Sequence, residues 1–196
     1  MVRFILRRGY KTVIRFILFI LTLTFISCSD DDGQKIQTAT NQESELTIMD
    51  LTAIEVSLLD ADGFHALINQ HRGKVLFINI WATWCLPCKE EFPDLVRLQR
   101  YYADSDVVFI GISVDFPDEV ESKVKPFLLS QKVNFPNFVQ NFKQPEDLIN
   151  LLNEKWRGAV PATFIYDSEG VQQKFFLGKH SLEEFQTEIE NVRNIN

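Results

Sequence analysis

Val75 to Ile80 is a run of six positions in which only Asn79 is polar, and it follows the turn-like sequence Arg72-Gly73-Lys74. A strand with one wet face alternates apolar and polar side chains, so a continuous run belongs to a strand covered on both faces. Val107 to Val114 is a second run of this kind. Around these runs apolar residues recur at helical spacing: Phe64, Leu67 and Ile68 between Asp60 and about Gln70, and Phe92, Leu95, Val96, Leu98 and Tyr102 between Cys85 and about Tyr102. Asp60 or Asp62 supplies a cap for the first of these helices. Buried strands that alternate with helices imply helical layers on both faces of a central sheet, an α/β fold.

The remaining elements complete the sheet. Ile54 to Leu58 reads as a short strand, and Phe135 to Val139 as an extra extended piece. Pro117 to Gln131 reads as a helix that Pro126 kinks or divides, because proline lacks the N–H and crowds the preceding turn. Glu146 to Lys155 is a further helix. Ala162 to Tyr166, a turn at Asp167 to Gly170, and Gln172 to Leu177 form a hairpin. It leads into a helix from Ser181 to about Val192, where Ser181 and Glu184 have the spacing of a capping box. The hairpin makes the central sheet mixed. A chain of 196 residues, 45% apolar and with 17 Phe, holds one packed domain, placed at 49–196, besides a targeting segment and a tether.

The beginning of the chain is basic. Residues 1–27 carry Arg3, Arg7, Arg8, Lys11 and Arg15 with no acid, and Phe16 to Ile26 is apolar apart from Thr22 and Thr24. That run falls short of the ~20 residues a membrane span needs and suits an export signal. Thr24-Phe25-Ile26-Ser27-Cys28 resembles a bacterial lipobox, with Phe25 where Leu is commonest, which implies lipidation of Cys28. Residues 28–48 then read as a flexible acidic tether; its polar part reaches roughly 20–25 Å as a coil. Ser29-Asp30-Asp31-Asp32 also resembles the acidic signal that sends some lipoproteins to the cell surface. The expected location is the cell envelope, outside the cytoplasmic membrane. Without the five basic residues of the signal, 15 of the 20 basic residues remain against 27 acidic ones, a formal charge of −12. A body this acidic repels phosphate backbones and argues against nucleic acid as a partner.

Three cysteines are too few for a disulfide scaffold, and no second Cys or His pair stands at a spacing that completes a zinc site with Cys85 and Cys88. Half a zinc site and an incidental pair are the plain alternatives for a lone Cys-x-x-Cys. These two cysteines, however, open a helix directly after a buried strand. There the helix N-terminus favours the thiolate of Cys85 and makes it the nucleophile, accessible and first to react. Cys88, one turn inside, is the shielded resolving thiol. Pro87 sits in the first turn, where a missing N–H costs little.

The string from Val75 through Trp81, Trp84, Cys85, Cys88 and Glu91 to Pro93 resembles the active-site region of the thioredoxin superfamily, especially its exported TlpA/ResA-like branch. With Val160-Pro161-Ala162-Thr163-Phe164 the resemblance spans roughly residues 50 to 193. It implies a thioredoxin-like fold and a thiol-disulfide oxidoreductase that needs no cofactor or metal. It also implies a cis Pro161 beside the disulfide, with the backbone of Val160 free to pair with substrate. Trp81 is expected in the core, and Trp84 at the substrate surface. Asn79 stands where thioredoxin carries a buried acid, and Leu86 where some relatives place Glu. Glu91, on the helix face of Cys88, is the candidate proton acceptor, against the plainer expectation of a solvated surface glutamate. His65, His71 and His180 are expected at the surface.

The implied partners are disulfide-containing exported proteins and a membrane electron donor of the thiol-relay type, with the membrane reached through the lipid. A peroxiredoxin-like peroxidase is an alternative, but such enzymes place Thr three residues before the reactive Cys, and Thr83 is two before Cys85. A copper or apo-cytochrome carrier using the same thiols is another, and lacks the extra His usual in copper carriers. Leu86-Pro87 offers no cation, and Lys89, the nearest positive charge, adjoins Cys88 rather than Cys85, so the expected midpoint lies nearer about −270 mV than about −120 mV. Partner choice is expected in the segment from Phe116 to Ala159, with Phe135, Phe138, Phe142 and Trp156.

Overall fold

Residues 54–195 are described by the structure, a computed structural model. The signal expected at 1–27, the tether expected at 28–48 and Cys28 lie outside the described residues. Among the described residues eleven strands and α-helices follow one another: β1 (Val56–Leu59), α1 (Ala61–Gln70), β2 (Val75–Trp81), α2 (Leu86–Tyr101), β3 (Val107–Ser113), α3 (Lys125–Ser130), β4 (Asn137–Gln140), α4 (Pro145–Leu152), β5 (Ala162–Tyr166), β6 (Gln172–Leu177) and α5 (Leu182–Arg193). They build one six-stranded sheet in the order β1-β4-β3-β2-β5-β6. The β1–β4, β4–β3 and β3–β2 pairs are parallel, whereas β5 runs antiparallel to both β2 and β6. The expected mixed sheet flanked by helices is therefore the fold.

Every residue of β2 is buried, and its pleat sorts the core into two halves. Leu76, Ile78 and Ile80 pack with Phe64 and Leu67 of α1 and Leu148 and Leu152 of α4. Val75 and Phe77 face the other way, against Leu95 and Leu98 of α2 and Phe185 and Ile189 of α5. Asn79 and Trp81 share that second parity, so the one polar side chain of the strand is directed to the α2 side. Burial of each large apolar side chain contributes roughly 1.5–3 kcal/mol, and β2 alone supplies six.

The caps follow local chemistry. Asp60 Oδ1 accepts from the Gly63 N–H at 2.9 Å at the start of α1, and Ser181 and Glu184 form a reciprocal capping box on α5. The stretch from Pro117 to Gln131 departs from a single helix: a 3₁₀ turn (Pro117–Glu119) and a wide π turn (Val120–Val124) precede α3. Pro126 has no N–H for the carbonyl four residues back, and Lys125 instead donates to Val120 five back. The helix expected to reach Lys155 stops at Leu152, because Asn153 is extended and its Oδ1 caps the Lys155 N–H at 2.9 Å. The extra extended piece becomes interior strand β4, joined on both sides. Gly111 on β3 permits this packing: a Cβ there would stand 2.0 Å from Asn137 Oδ1, the atom that accepts the Trp81 indole N–H at 3.1 Å.

Candidate functional site

The strand β2 ends at Trp81, and four residues later α2 begins with Cys85 as its cap in an extended conformation. Cys85 Sγ accepts the Cys88 N–H at 3.2 Å, so the sulfur occupies the place of a capping oxygen. Cys85 and Cys88 are joined by a disulfide with their Cα atoms 5.3 Å apart. The expectation of an open Cys85 and a shielded Cys88 needs correction for this oxidised form. Cys85 is 4% exposed and Cys88 1%, because both pack against Trp81, Ala82, Phe92 and Val139.

The loop before the disulfide is held by a residue that the sequence reading missed. Asp115 is buried just beyond β3, and its carboxylate accepts the Thr83 N–H at 2.8 Å, the Thr83 hydroxyl at 2.6 Å and the Ser113 hydroxyl at 2.5 Å. The Val114 N–H donates to the Trp81 carbonyl at 2.9 Å beside it. The available signal was an acid abutting the buried run that ends at Val114. Thr83 thus spends its hydroxyl on Asp115, which disfavours the activating role a peroxidase gives its threonine.

On the other side, β5 brings Ala162 opposite Ile80, and the Val160–Pro161 peptide bond preceding it is cis. The Gly178 N–H donates to the Pro161 carbonyl at 2.8 Å. Val160 lies outside the ladder, half-buried, and packs against the cluster that holds both sulfurs. Trp81 is fully buried, as expected, whereas Trp84 next to Cys85 is 66% exposed. Leu86 and Phe116 are exposed to a similar degree, which gives this end of the molecule an apolar rim.

Beneath the rim lies a polar cluster. Glu91 is three residues beyond Cys88 on α2 and is fully buried, so the expectation of a solvated surface glutamate fails. One carboxylate oxygen accepts the His180 N–H at 3.0 Å and the other accepts from Asn79 Nδ2 at 3.1 Å. Asn79 Nδ2 also donates to Thr163 Oγ1 at 3.0 Å, while its carbonyl oxygen is buried without a partner. Burial raises the Glu91 pKa to about 7, against the opposing effects of the His180 and Asn79 hydrogen bonds and the nearby His180 and Lys179 charges. His180 is likewise not a simple surface residue: it is half-buried, its ring 4.7 Å from that of Phe176 and its backbone tied to Glu91. His65 is exposed, and His71 is half-buried at the end of α1. Cys85, Cys88, Trp84, Val160 and Pro161 thus gather at one end of the sheet, with Glu91 under them.

Among the described residues no group of three or more His, Cys, Asp or Glu side chains is placed to hold a metal ion. No helix among them is long and apolar enough to cross a membrane.

The AhpC/TSA family matches residues 49–174. The thiol-disulfide oxidoreductase ResA of Geobacillus thermodenitrificans (strain NG80-2) is 25% identical over 188 residues, 96% of this chain and 99% of that protein. ResA of Bacillus subtilis (strain 168) is 30% identical over 121 residues, 62% of this chain and 63% of its own. Among solved structures, a thiol:disulfide interchange protein of the thioredoxin family from Chlorobium tepidum TLS superposes with a TM-score of 0.54 at 28% identity, covering 63% of this chain and 83% of that one.

Proposed function

This chain belongs to the AhpC/TSA family and is a thiol-disulfide oxidoreductase; from that premise we propose that it is exported, held in the cell envelope by a lipid on Cys28, and reduces or isomerises disulfides of exported proteins. In the reduced protein the Cys85 thiolate attacks one sulfur of a substrate disulfide, whose bond breaks as the Cys85–substrate bond forms. The other substrate sulfur leaves as a thiolate. Cys88 gives its proton to Glu91 and attacks Cys85 Sγ, releasing the second substrate thiolate and closing the Cys85–Cys88 disulfide. The substrate gains two electrons, and a membrane donor of the thiol-relay type restores them to the protein. Trp84 shapes the surface on which the substrate lies, and the Val160 backbone beside Pro161 pairs with its extended chain.

The observation that carries the exchange mechanism is Glu91, buried one turn beyond the inner cysteine with a pKa of about 7. A group that titrates near neutral pH accepts and returns the proton of a resolving thiol with little driving force wasted in either direction. Asn79 suits both forms, because its amide N–H₂ donates to the carboxylate and its unpartnered carbonyl, on rotation of the amide, accepts from the acid.

A Cys88→Ala chain expressed in the native cells tests the substrate class. Exported proteins should accumulate on Cys85 as mixed disulfides that dithiothreitol releases, and trapping of none would reject it. Labelled fatty acid should enter through Cys28; a Cys28→Ala chain that is processed, retained and released like the parent would reject the anchor.

A further inference from the structure

We propose that the hollow beside Trp84 is a subsite for one aliphatic or aromatic side chain of the polypeptide under reduction, and that it sets which disulfides this protein prefers. The inference rests on the reading that polypeptide disulfides are the substrates. The hollow measures about 390 Å³ and is lined mainly by Trp84, Phe116, Phe142, Leu148, Ile149 and Trp156. That volume is in the range of pockets that enclose small apolar groups.

Its position ties it to the reaction. Trp84 precedes Cys85, and Gly158, also on the wall, is two residues before Val160. A chain laid across Cys85 and Val160 therefore passes the mouth. In an extended chain a side chain two or three residues from the reacting cysteine lies about 7–10 Å along from it. The far wall comes from α4 and the loop that follows it, inside the segment between β3 and β5.

Its construction favours an apolar guest. Leu148 and Trp156 form the floor as members of the main core, so this part is preformed. The Trp156 indole N–H is spent on the Ala159 carbonyl at 2.8 Å, which pins the loop and leaves carbon surface turned to the hollow. Phe116, 68% exposed, stands with Trp84 at the mouth. Large aromatics left in water around a concave surface mark a place where another molecule seats. Lys143 is the one charged residue on the lining, so buried charge on the guest finds at most a single counter-ion.

The test uses the reduced full-length protein and peptides with one cysteine in mixed disulfide with glutathione. The panel holds an all-glycine peptide and peptides with a single Phe at each position from three before to three after the cysteine. Phe at one or two of these positions should raise the second-order rate of reduction about 10-fold over the all-glycine peptide, the scale expected for a hydrophobic pocket. Asp at the same positions should give no gain. Phe116→Ser, which opens the mouth, and Asn141→Trp, which fills the hollow from an exposed residue of its lining, should each cut the Phe gain to less than about threefold. Equal rates for every Phe position, or a gain that survives both variants, would overturn the subsite while leaving the oxidoreductase reading intact. Reduction of no peptide by the wild-type protein would overturn that reading and the subsite with it.

Discussion

The two sides of the Cys85–Cys88 disulfide are built from opposite materials. Towards solvent, Trp84, Leu86 and Phe116 present apolar area and few directional bonds. Towards the sheet, Asn79, Glu91 and Thr163 are buried and joined by hydrogen bonds of 3.0–3.1 Å. Apolar surface adapts to many partners at little cost in alignment, which suits recognition of varied polypeptides. A buried carboxyl, by contrast, acts only where its partners fix it, and its ionised form costs stability. On the proposed roles, recognition and proton handling fall to different sides of the disulfide, and each is open to separate disturbance.

The largest effect is expected where the two sides meet. Cys85→Ser should abolish reduction of insulin by dithiothreitol-recycled protein, since the attacking sulfur is lost and Cys88 is buried. Cys88→Ala should stall after one half-turnover with a mixed disulfide on Cys85. In the reduced protein Cys85 should be alkylated before Cys88 near neutral pH, because Cys85 caps the helix and Cys88 lies within it. Faster alkylation of Cys88 would reverse the assigned roles.

Replacing the buried acid comes next. The Glu91 pKa of about 7 exceeds its ordinary value of 4.5, so the folded chain holds this proton more tightly than the unfolded one. Below about pH 4.5 both states are protonated and the group is neutral in its effect. As pH rises from there to about 7 the unfolded chain loses the proton first, stability declines by about 3 kcal/mol, and it levels off above. Glu91→Gln removes that decline while its side-chain carbonyl still accepts the His180 N–H. The variant should equal the wild type in stability near pH 4.5 and exceed it at pH 8 by up to about 3 kcal/mol in urea titrations. Its disulfide-exchange rate at pH 7 should fall about 100-fold if Glu91 serves as base. A slow variant with no stability gain at pH 8 would show that Glu91 is not the strained acid described.

How much of this was legible in the sequence depends on which force placed each residue. Val75 to Ile80 declared β2 through an apolar run interrupted only by Asn79, and Ser181 with Glu184 declared the start of α5 by local capping, so neither needed tertiary information. Cys85 and Cys88 were likewise legible, because helix geometry alone sets their relation. The burial of Glu91 is not legible locally, because a charged side chain on a helix is ordinarily solvated. Its burial depends on Asn79, Thr163 and His180, which arrive from β2, β5 and the turn before α5. Asp115 was missed for the same reason: its partner Thr83 arrives from the loop after β2, distant in sequence. The short strand β4 was blurred because its interior position follows from pairing with β1 and β3, not from its own pattern.

Asp115 gives a smaller, mainly structural effect on the inner side. Asp115→Ala leaves the Thr83 N–H and hydroxyl and the Ser113 hydroxyl without their acceptor. The expected loss is about 2 kcal/mol, the scale for buried donors stripped of a partner, with Asp115→Asn recovering part of it. Thermal unfolding checks this, and an unchanged midpoint in Asp115→Ala would show that the loop before Cys85 is held by other contacts.

The smallest effect on stability is expected at Trp84, and it separates the two sides most cleanly. Its ring is two-thirds exposed, so truncation to serine removes little buried area and should shift the unfolding free energy by less than about 0.5 kcal/mol. The same change removes apolar contact area from the residue adjoining the nucleophile. Reduction of a polypeptide disulfide should therefore slow by about 10-fold relative to reduction of a small aromatic disulfide that touches only Cys85. The pH dependence expected from Glu91 should stay as it is, since no bond connects Trp84 to the inner cluster among the described hydrogen bonds. If Trp84→Ser instead moved that pH dependence, or slowed both substrates alike, the outer side would be acting on the thiols themselves, and the division between recognition and proton handling would not hold.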